Sequence, residues 1–473
     1  MQRKKLVVVG NGMAPGRALE KLFEAAPGQL DVTIFNAEPR VNYDRIMLSP
    51  VLSGEKSYED IVIHGDAWYM NNGVTLHKGA KVAKIDRATH TVTSENGIVA
   101  KYDKLIIATG SSPVIIPVPG HRLPGVLTYR DLDDVHAMLV AAKAGGKAVV
   151  IGGGLLGLEA AAGLKAQGMD VTVLHLMPTL MERQLDTTAG RLLEKAVEAR
   201  GVKVICEANT KEIVGPDRVS GVLLDDGTFC AADIVVMAVG IRPNAGLAKE
   251  AGLTVNRGVV VTPDMRTSDP NIFALGECAE SHGQVFGLVA PLYDMASVVA
   301  RQILGETDAA FRPKAVATKL KVTGIDLYSA GDFSDAPDRD DIVLRDPAHG
   351  VYKRLVLQDN RVLGAVMFGD VGDGPWFFDL IKQETDVAGM RDTLIFGQAY
   401  QGGAPLDPTA AVAALSDDTE IRRCNGLSIG KIVDEISKKS WPDIDGLCVF
   451  AIAMARPENR GLPPLTSLQR RAA

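Results

Sequence analysis

The chain has 473 residues, 46% hydrophobic and 23% charged, with 48 glycines, which fits a soluble globular protein with room for two or three domains. Its 51 Lys and Arg against 58 Asp and Glu give a formal net charge of -7, and this argues against nucleic acid or an anionic membrane as the main partner, since both require clustered cations. No apolar run approaches the roughly 20 residues of a membrane helix.

The run after Met-Gln-Arg-Lys-Lys lasts only from Leu6 to Val9, with no A-x-A site behind it. A buried first strand is expected there rather than a signal peptide, and the protein is expected in the cytoplasm. Lys5–Val9 ends at Gly10, and Gly10-Asn-Gly12-Met-Ala-Pro15-Gly16 opens a helical pattern through Ala18, Leu22 and Phe23. Strand, glycine turn and helix start together form a phosphate cradle: glycines admit a pyrophosphate to the backbone, and the helix N-terminus offers unpaired N–H groups. Pro15 stands where the fingerprint has its third glycine, a departure expected to shift the helix start. The next strand, Val32–Phe35, ends near Glu38, where a carboxylate can accept from both ribose hydroxyls of an adenosine. Taken alone, this element does not separate a cofactor site from a plain βα turn.

A second copy follows. Ala148–Ile151 reads as a strand, Gly152-Gly-Gly154-Leu-Leu-Gly157 as a complete G-x-G-x-x-G, Leu158–Gln167 as a helix and Val171–Leu174 as the following strand. Two cradles, 142 positions apart from Gly10 to Gly152, imply two dinucleotides, and hydride transfer from a nicotinamide to a flavin is the simplest chemistry needing both. Each cradle is followed by a buried strand running into a glycine turn and a proline, Leu105–Thr109-Gly110 to Pro113 and Ile234–Val239-Gly240 to Pro243. The pattern is an internal duplication.

Lys314–Ile395 reads as a separate α/β piece, with strands at Lys319–Val322, Tyr352–Val356 and Val362–Phe368 and a helix at Trp376–Glu384; no chemistry is visible in it. Gly402-Gly403-Ala-Pro405 and Asp407-Pro408 mark a linker, and the tail from Pro457 to Ala473 reads as disordered. The five cysteines, Cys206, Cys230, Cys278, Cys424 and Cys448, form no CxxC and read as reduced, incidental thiols.

These segments resemble the pyridine-nucleotide:disulfide oxidoreductase superfamily and, more narrowly, the FAD- and NAD(P)H-binding front half of assimilatory NAD(P)H nitrite reductase large subunits. The resemblance rests on Gly10–Met13, Glu38–Arg45 with Leu48-Ser49, Gly152–Glu159 and His175–Asp186. It extends through Thr267–Cys278, Phe286–Pro291 and Lys319–Gly324, covering roughly residues 1–405. It implies an α/β fold of two Rossmann-like, three-layer ββα domains plus a small C-terminal α/β domain. FAD would be held by residues 1–120 with 245–312, NADH or NADPH by 121–244, a reductase-type domain would follow over 313–400, and 401–473 would hold the linker, a degenerate [2Fe–2S] start and the tail.

By the same resemblance, Gly10, Gly12 and Glu38 hold the ADP part of FAD. Arg45, Val82, Thr109 and Gly110 lie along the FAD site, Gly276-Glu277 reaches the ribityl chain, and Pro291 sits at the isoalloxazine edge. Gly152, Gly154 and Gly157 cradle the NAD(P)H pyrophosphate, with His175 and Gly240 beside it, and Glu159 is the candidate catalytic residue next to the nicotinamide. Blander readings stand beside these: Glu159 complements a helix dipole, Arg45 makes a surface ion pair, and Cys278 is a small core residue.

Three departures qualify the match. Pro50 stands where relatives often carry a lysine paired with the residue equivalent to Glu159. His175 stands where a carboxylate would favour NADH, and a partly charged imidazole could tolerate the 2′-phosphate of NADPH, so the coenzyme stays open. The [2Fe–2S] domain needs four cysteines, whereas this chain has Arg422 at the first position and keeps Cys424 and Cys448; the sirohaem part is also absent, so nitrite reduction by this chain alone is not expected. The expected activity is transfer of electrons from NAD(P)H through FAD to an acceptor protein or domain: a sirohaem nitrite reductase, a nitrate reductase, or a ferredoxin- or rubredoxin-type carrier, with a homodimer as an option. The alternatives are a stand-alone oxidase or diaphorase, and a catalytically silent flavin-binding protein.

Overall fold

The computed structural model describes residues 3–314, 317–320, 324–401, 420–422 and 427–428. It divides into two compact units, Met1–Asp386 and Val387–Ala473.

In the first unit, Leu6–Val9 and Leu105–Ile107 are buried without alternation, as expected of parallel strands covered on both faces. They sit at the centre of a five-stranded parallel sheet in the order Ile272–Ala274, Lys104–Ile107, Lys4–Val9, Leu30–Phe35, Val74–His77. The helix Met13–Ala25 lies on this sheet and packs along the helix Val289–Leu304. The second parallel sheet runs Val126–Thr128, Ile234–Met237, Lys147–Ile151, Asp170–Leu174, Val202–Ile205. Each parallel sheet is accompanied by a three-stranded antiparallel sheet: Val82–Asp86, Thr91–Ser94 and Val99–Lys101 in one case, Thr210–Val214, Gly221–Leu224 and Phe229–Ala231 in the other. This is the expected duplication of a three-layer unit.

The segments that follow the two buried strands pair with each other, Ser111–Pro113 running antiparallel to Ile241–Pro243. They make the crossing ribbon between the two halves. Asn244 locks it: its N–H donates to Gly110 O at 2.9 Å, its side-chain amide donates to Thr109 O at 2.9 Å, and Thr109 Oγ1 donates to Asn244 O at 2.6 Å.

Both helices start directly after the second glycine of their motif, so Pro15 does not shift the first one as expected. The first helix begins at Met13 with Gly12 as its N-cap. Pro15 therefore falls in the first turn, where a missing N–H leaves no intrahelical bond unmade. The second helix spans Leu155–Ala166, one turn ahead of the expected Leu158.

The third part of the first unit is a five-stranded antiparallel sheet, Ala317–Leu320, Leu327–Gly331, Arg361–Phe368, Val351–Gln358, Asp340–Asp346, with the helix Gly374–Gln383 against it. Leu327–Gly331 and Asp340–Asp346 were not expected from the sequence. Asp340–Asp346 alternates exposed and half-buried residues and carries three aspartates, which hides an edge strand from a hydrophobicity reading. The part docks on the second sheet's layer through Asp186, which caps the helix Thr187–Glu198 and also accepts from Tyr352 Oη at 2.5 Å. The second unit has described turns at Ala388–Met390, Leu394–Phe396 and Gln398–Tyr400 and a paired ribbon, Glu420–Arg422 with Leu427–Ser428. The linker, Cys424, Cys448 and the tail lie outside the described residues.

Candidate active site

Two glycine turns, one at the end of a central strand in each parallel sheet, stand at the starts of helices. At Gly10, φ is +110° and an added Cβ would lie 2.1 Å from Ala108 O; at Gly152, φ is +120° and the Cβ would lie 2.3 Å from Ala238 O. Both positions bring the strand end hard against the neighbouring strand, and only glycine satisfies sterics and torsion together. Gly157 must also be glycine, since its Cβ would meet Gly152 O at 1.9 Å. Gly12 and Gly154 differ. Each is a helix N-cap without a side-chain cap, neither first turn contains an acidic residue, and the space where a Cβ would go is open. The first-turn N–H groups are thus left to an outside acceptor.

Around the first cradle, Asn42 Nδ2 donates to Asn11 O at 2.9 Å and Gly12 O at 2.6 Å, while Asn11 Nδ2 and Asn42 Oδ1 are buried without a partner. Glu38 accepts from Tyr43 Oη at 2.8 Å and pairs with Arg45. Val82 begins the strand just past Gly79 and Ala80, whose N–H groups bond Glu38 O at 3.0 Å and Asn36 O at 2.7 Å. Arg45 Nη1 donates to Arg130 O at 3.1 Å, and Arg130 Nη2 pairs with Glu277, which also accepts from Ser111 Oγ at 2.7 Å. A line of charge, Glu38–Arg45–Arg130–Glu277, runs from the first cradle to the crossing ribbon. Gly276, with φ of +85°, turns the chain beside Ala14 of the first helix, and this sets Glu277 close to that cradle. Pro291 is buried in the first turn of the helix Val289–Leu304, whose start lacks a side-chain cap.

Glu159 sits on the second cradle's helix. Its Oε2 accepts from Ser49 Oγ at 2.7 Å, and Ser49 Oγ accepts from Tyr129 Oη at 3.0 Å. Burial holds the Tyr129 phenol well above its ordinary pKa, so it stays a donor. Ser49 lies on the short helix Leu48–Ser53, which packs on the helix Leu155–Ala166 through Leu52 against Gly163. Thus Ser49, beside Pro50, engages the Glu159 carboxylate. The sequence reading gave no site role to Arg130, Ser111, Ser49 or Tyr129, although Leu48-Ser49 carried part of the resemblance and Ser111 follows Gly110, because each reaches its partner only through folding.

His175 is buried. Its Nδ1 accepts from the Gly153 N–H at 3.0 Å, and its Nε2 lies 3.0 Å from Glu182 Oε2. Gly240, with φ of +120°, is exposed at the end of the crossing. Cys278 is fully buried, donating to Leu275 O and Ile107 O at 3.3 and 3.5 Å, and burial pushes its thiol up, in keeping with a small core residue. Among the described residues no cluster of His, Cys, Asp and Glu could hold a metal, and no helix is long and apolar enough to cross a membrane.

Two uncapped glycine-lined helix starts, orphaned amides at the first of them, and carboxylates at both ends of the line Glu38–Arg45–Arg130–Glu277 match a pair of dinucleotides. Residues 4–302 match the pyridine nucleotide-disulphide oxidoreductase family, and residues 317–385 match the rubredoxin NAD+ reductase C-terminal domain. The chain belongs to the pyridine nucleotide-disulphide oxidoreductase family. As a member it is an NAD(P)H-dependent flavoprotein oxidoreductase whose cofactors are FAD and NAD(P)H.

Within the family, the chain is 46% identical to nitrite reductase [NAD(P)H] of Bacillus subtilis (strain 168), over 94% of this chain and 55% of that protein. It is 38% identical to the assimilatory nitrate reductase electron transfer subunit of the same organism, over 94% and 57%. The chain thus spans a little over half the length of these curated relatives. NADH-rubredoxin oxidoreductase of Clostridium acetobutylicum is 30% identical over 79% of this chain and 93% of that protein. Its crystal structure superposes with a TM-score of 0.70, at 27% identity over 82% of this chain and 97% of the other.

Proposed function

We propose that this chain takes reducing equivalents from NADH or NADPH and passes them to an acceptor protein in nitrite or nitrate assimilation, in the cytoplasm. In this reading residues 1–120 with 245–312 carry FAD, and residues 121–244 carry the nicotinamide coenzyme. The observation that carries it is the pair of uncapped glycine cradles, joined where Ser49 of one half grips Glu159 of the other. FAD, when bound, supplies the capacity to accept a hydride and release its electrons singly.

The chain's own residues bind and orient. Gly10 and Gly12 admit a pyrophosphate to the first helix start, and the Asn11 amide is left free to donate to it. Glu38 offers a carboxylate for ribose hydroxyls, with Arg45 as its counter-charge. Arg130 supplies a cation between Glu38 and Glu277, and Glu277 accepts hydroxyl hydrogen bonds. The start of Val289–Leu304, including Pro291, presents N–H groups that favour negative charge. Gly152, Gly154 and Gly157 form the coenzyme's cradle, with Gly240 at its rim and Thr109 and Gly110 holding the ribbon beneath. Glu159, fixed by Ser49 and Tyr129, orients the nicotinamide; alignment of this kind supplies most of the rate.

The acceptor is proposed to be a sirohaem nitrite reductase part, a nitrate reductase, or a small iron–sulfur carrier. Support comes from the names of the nitrite reductase, nitrate reductase electron-transfer and rubredoxin reductase relatives. Anaerobic stopped-flow mixing of the FAD-loaded protein with each coenzyme tests the reading. Bleaching of the flavin band by at least one coenzyme is expected, with slow reoxidation in air. Failure of both coenzymes to bleach it would sink the proposal, and fast oxygen consumption without a partner would favour an oxidase.

A further inference from the structure

We infer that Glu182, held by His175, is the residue that makes this chain select NADH over NADPH; the inference rests on the coenzyme reading of the second cradle. His175 follows the strand Asp170–Leu174, at the position where a Rossmann fold places its ribose-reading acid. Its ring cannot meet a 2′-phosphate. The side chain is 9% exposed, Nδ1 is used by the Gly153 N–H, and Nε2 is used by Glu182. With Nδ1 accepting, the ring proton sits on Nε2 and donates to the carboxylate.

The ring is also wedged in place. A Cβ at Gly153 would lie 2.8 Å from His175 Cγ and 2.5 Å from Leu180 Cδ2, so Gly153 is glycine to admit the imidazole. The result is a rigid spacer one imidazole long between the glycine turn and the Glu182 carboxylate. That side chain is 31% exposed, open enough to accept hydrogen bonds from ribose hydroxyls. The carboxylate missing from the strand end is delivered from seven residues further along.

Of the other charges nearby, Glu207 points the same way and Arg183 the opposite way. The exposed Glu207 is tied to this loop by its N–H to Met177 O at 3.2 Å, with Ala208 N–H bonding His175 O at 2.9 Å. The exposed Arg183 is the adjoining cation in sequence. A 2′-phosphate brings close to two negative charges, and against a half-exposed carboxylate it loses about tenfold or more in affinity.

The test is calorimetric titration of the FAD-loaded protein with NAD+ and with NADP+, where no turnover intervenes. Wild type is expected to bind NAD+ about tenfold or more tighter than NADP+, with the gap narrowing as salt rises. Glu182→Gln should raise NADP+ affinity and shrink the gap, Glu182→Asp should keep it, and His175→Ala, checked for an unchanged melting temperature, should blur it by freeing the carboxylate. Equal wild-type affinities, an unaltered gap in Glu182→Gln, or NADP+ binding that is strong and lost in Arg183→Ala would each overturn the inference while leaving the coenzyme site standing. Binding of neither nucleotide would instead defeat the site itself.

Discussion

Ser49 donates to Glu159 and is itself held by the Tyr129 hydroxyl. This relay fixes the direction of the carboxylate. Removing a hydrogen bond to a charged group costs about 1.5–3 kcal/mol, less for a half-exposed acceptor. Ser49→Ala is therefore expected to slow flavin reduction by about tenfold while leaving FAD content unchanged, as single-turnover mixing would report. Glu277 has a different burden: it balances Arg130 and accepts from Ser111. Glu277→Ala strands a guanidinium whose side chain is only 18% exposed, and the expected outcome is protein purified with a lower ratio of flavin to protein absorbance. Glu277→Gln, which keeps an acceptor, should retain more.

Among the elements, the contact between Leu48–Ser53 and Leu155–Ala166 carries the coupling between the halves. Gly163 allows it: an added Cβ would lie 2.6 Å from both Leu52 Cγ and Leu52 Cδ2. Since the obstacle is a side chain, the helices can adjust in part, and Gly163→Ala is expected to cost about 1–3 kcal/mol in a urea melt. The same variant should slow flavin reduction, because the displaced helix carries Ser49. Gly152→Ala is harsher. Its obstacle is the Ala238 carbonyl and its φ is +120°, so neither rotamer change nor torsion relieves it; a loss larger than that of Gly163→Ala, with coenzyme binding abolished, is expected in the same assay and in titration.

For the whole molecule, the antiparallel sheet of the third part is pinned by buried cations. Lys353, with a side chain 5% exposed, lies 2.6 Å from Asp370 Oδ2 and 3.5 Å from Asp373 Oδ2. Arg354 gathers Asp186, Asp335 and Asp341. The hydrogen bond from Lys353, joined by its charge, outweighs burial and holds the Asp370 carboxyl below the usual carboxylate range. A group depressed in the folded state contributes stability that is complete above its unfolded pKa and disappears as pH falls through the folded value. The melting temperature of wild type should therefore exceed that of Asp370→Asn near neutral pH, and the two should converge as pH falls below about 4. Curves that stay parallel across that range would show the pair to contribute nothing.

How much could be read in advance follows from which interactions are local. The cradles were legible because a strand, a glycine and a helix start are contiguous, and the steric demand at Gly10, Gly152 and Gly157 leaves one residue type. The parallel strands were legible because burial on both faces leaves an unbroken apolar run. Asp340–Asp346 was not, being an edge strand with a polar face. The roles of Arg130 and Ser49 were not, since Glu277 lies 147 residues from Arg130 and Glu159 lies 110 residues from Ser49, and Glu182, seven residues past His175, stands in no acid-bearing motif. The turn before His175 shows the division most clearly: by itself the sequence determined that a strand ends at position 174 beside a phosphate cradle. Only the folded chain decided that the imidazole there turns inward to Gly153 and hands the outward charge to Glu182, because a ring nitrogen bonds whichever partner the packing brings within 3.0 Å.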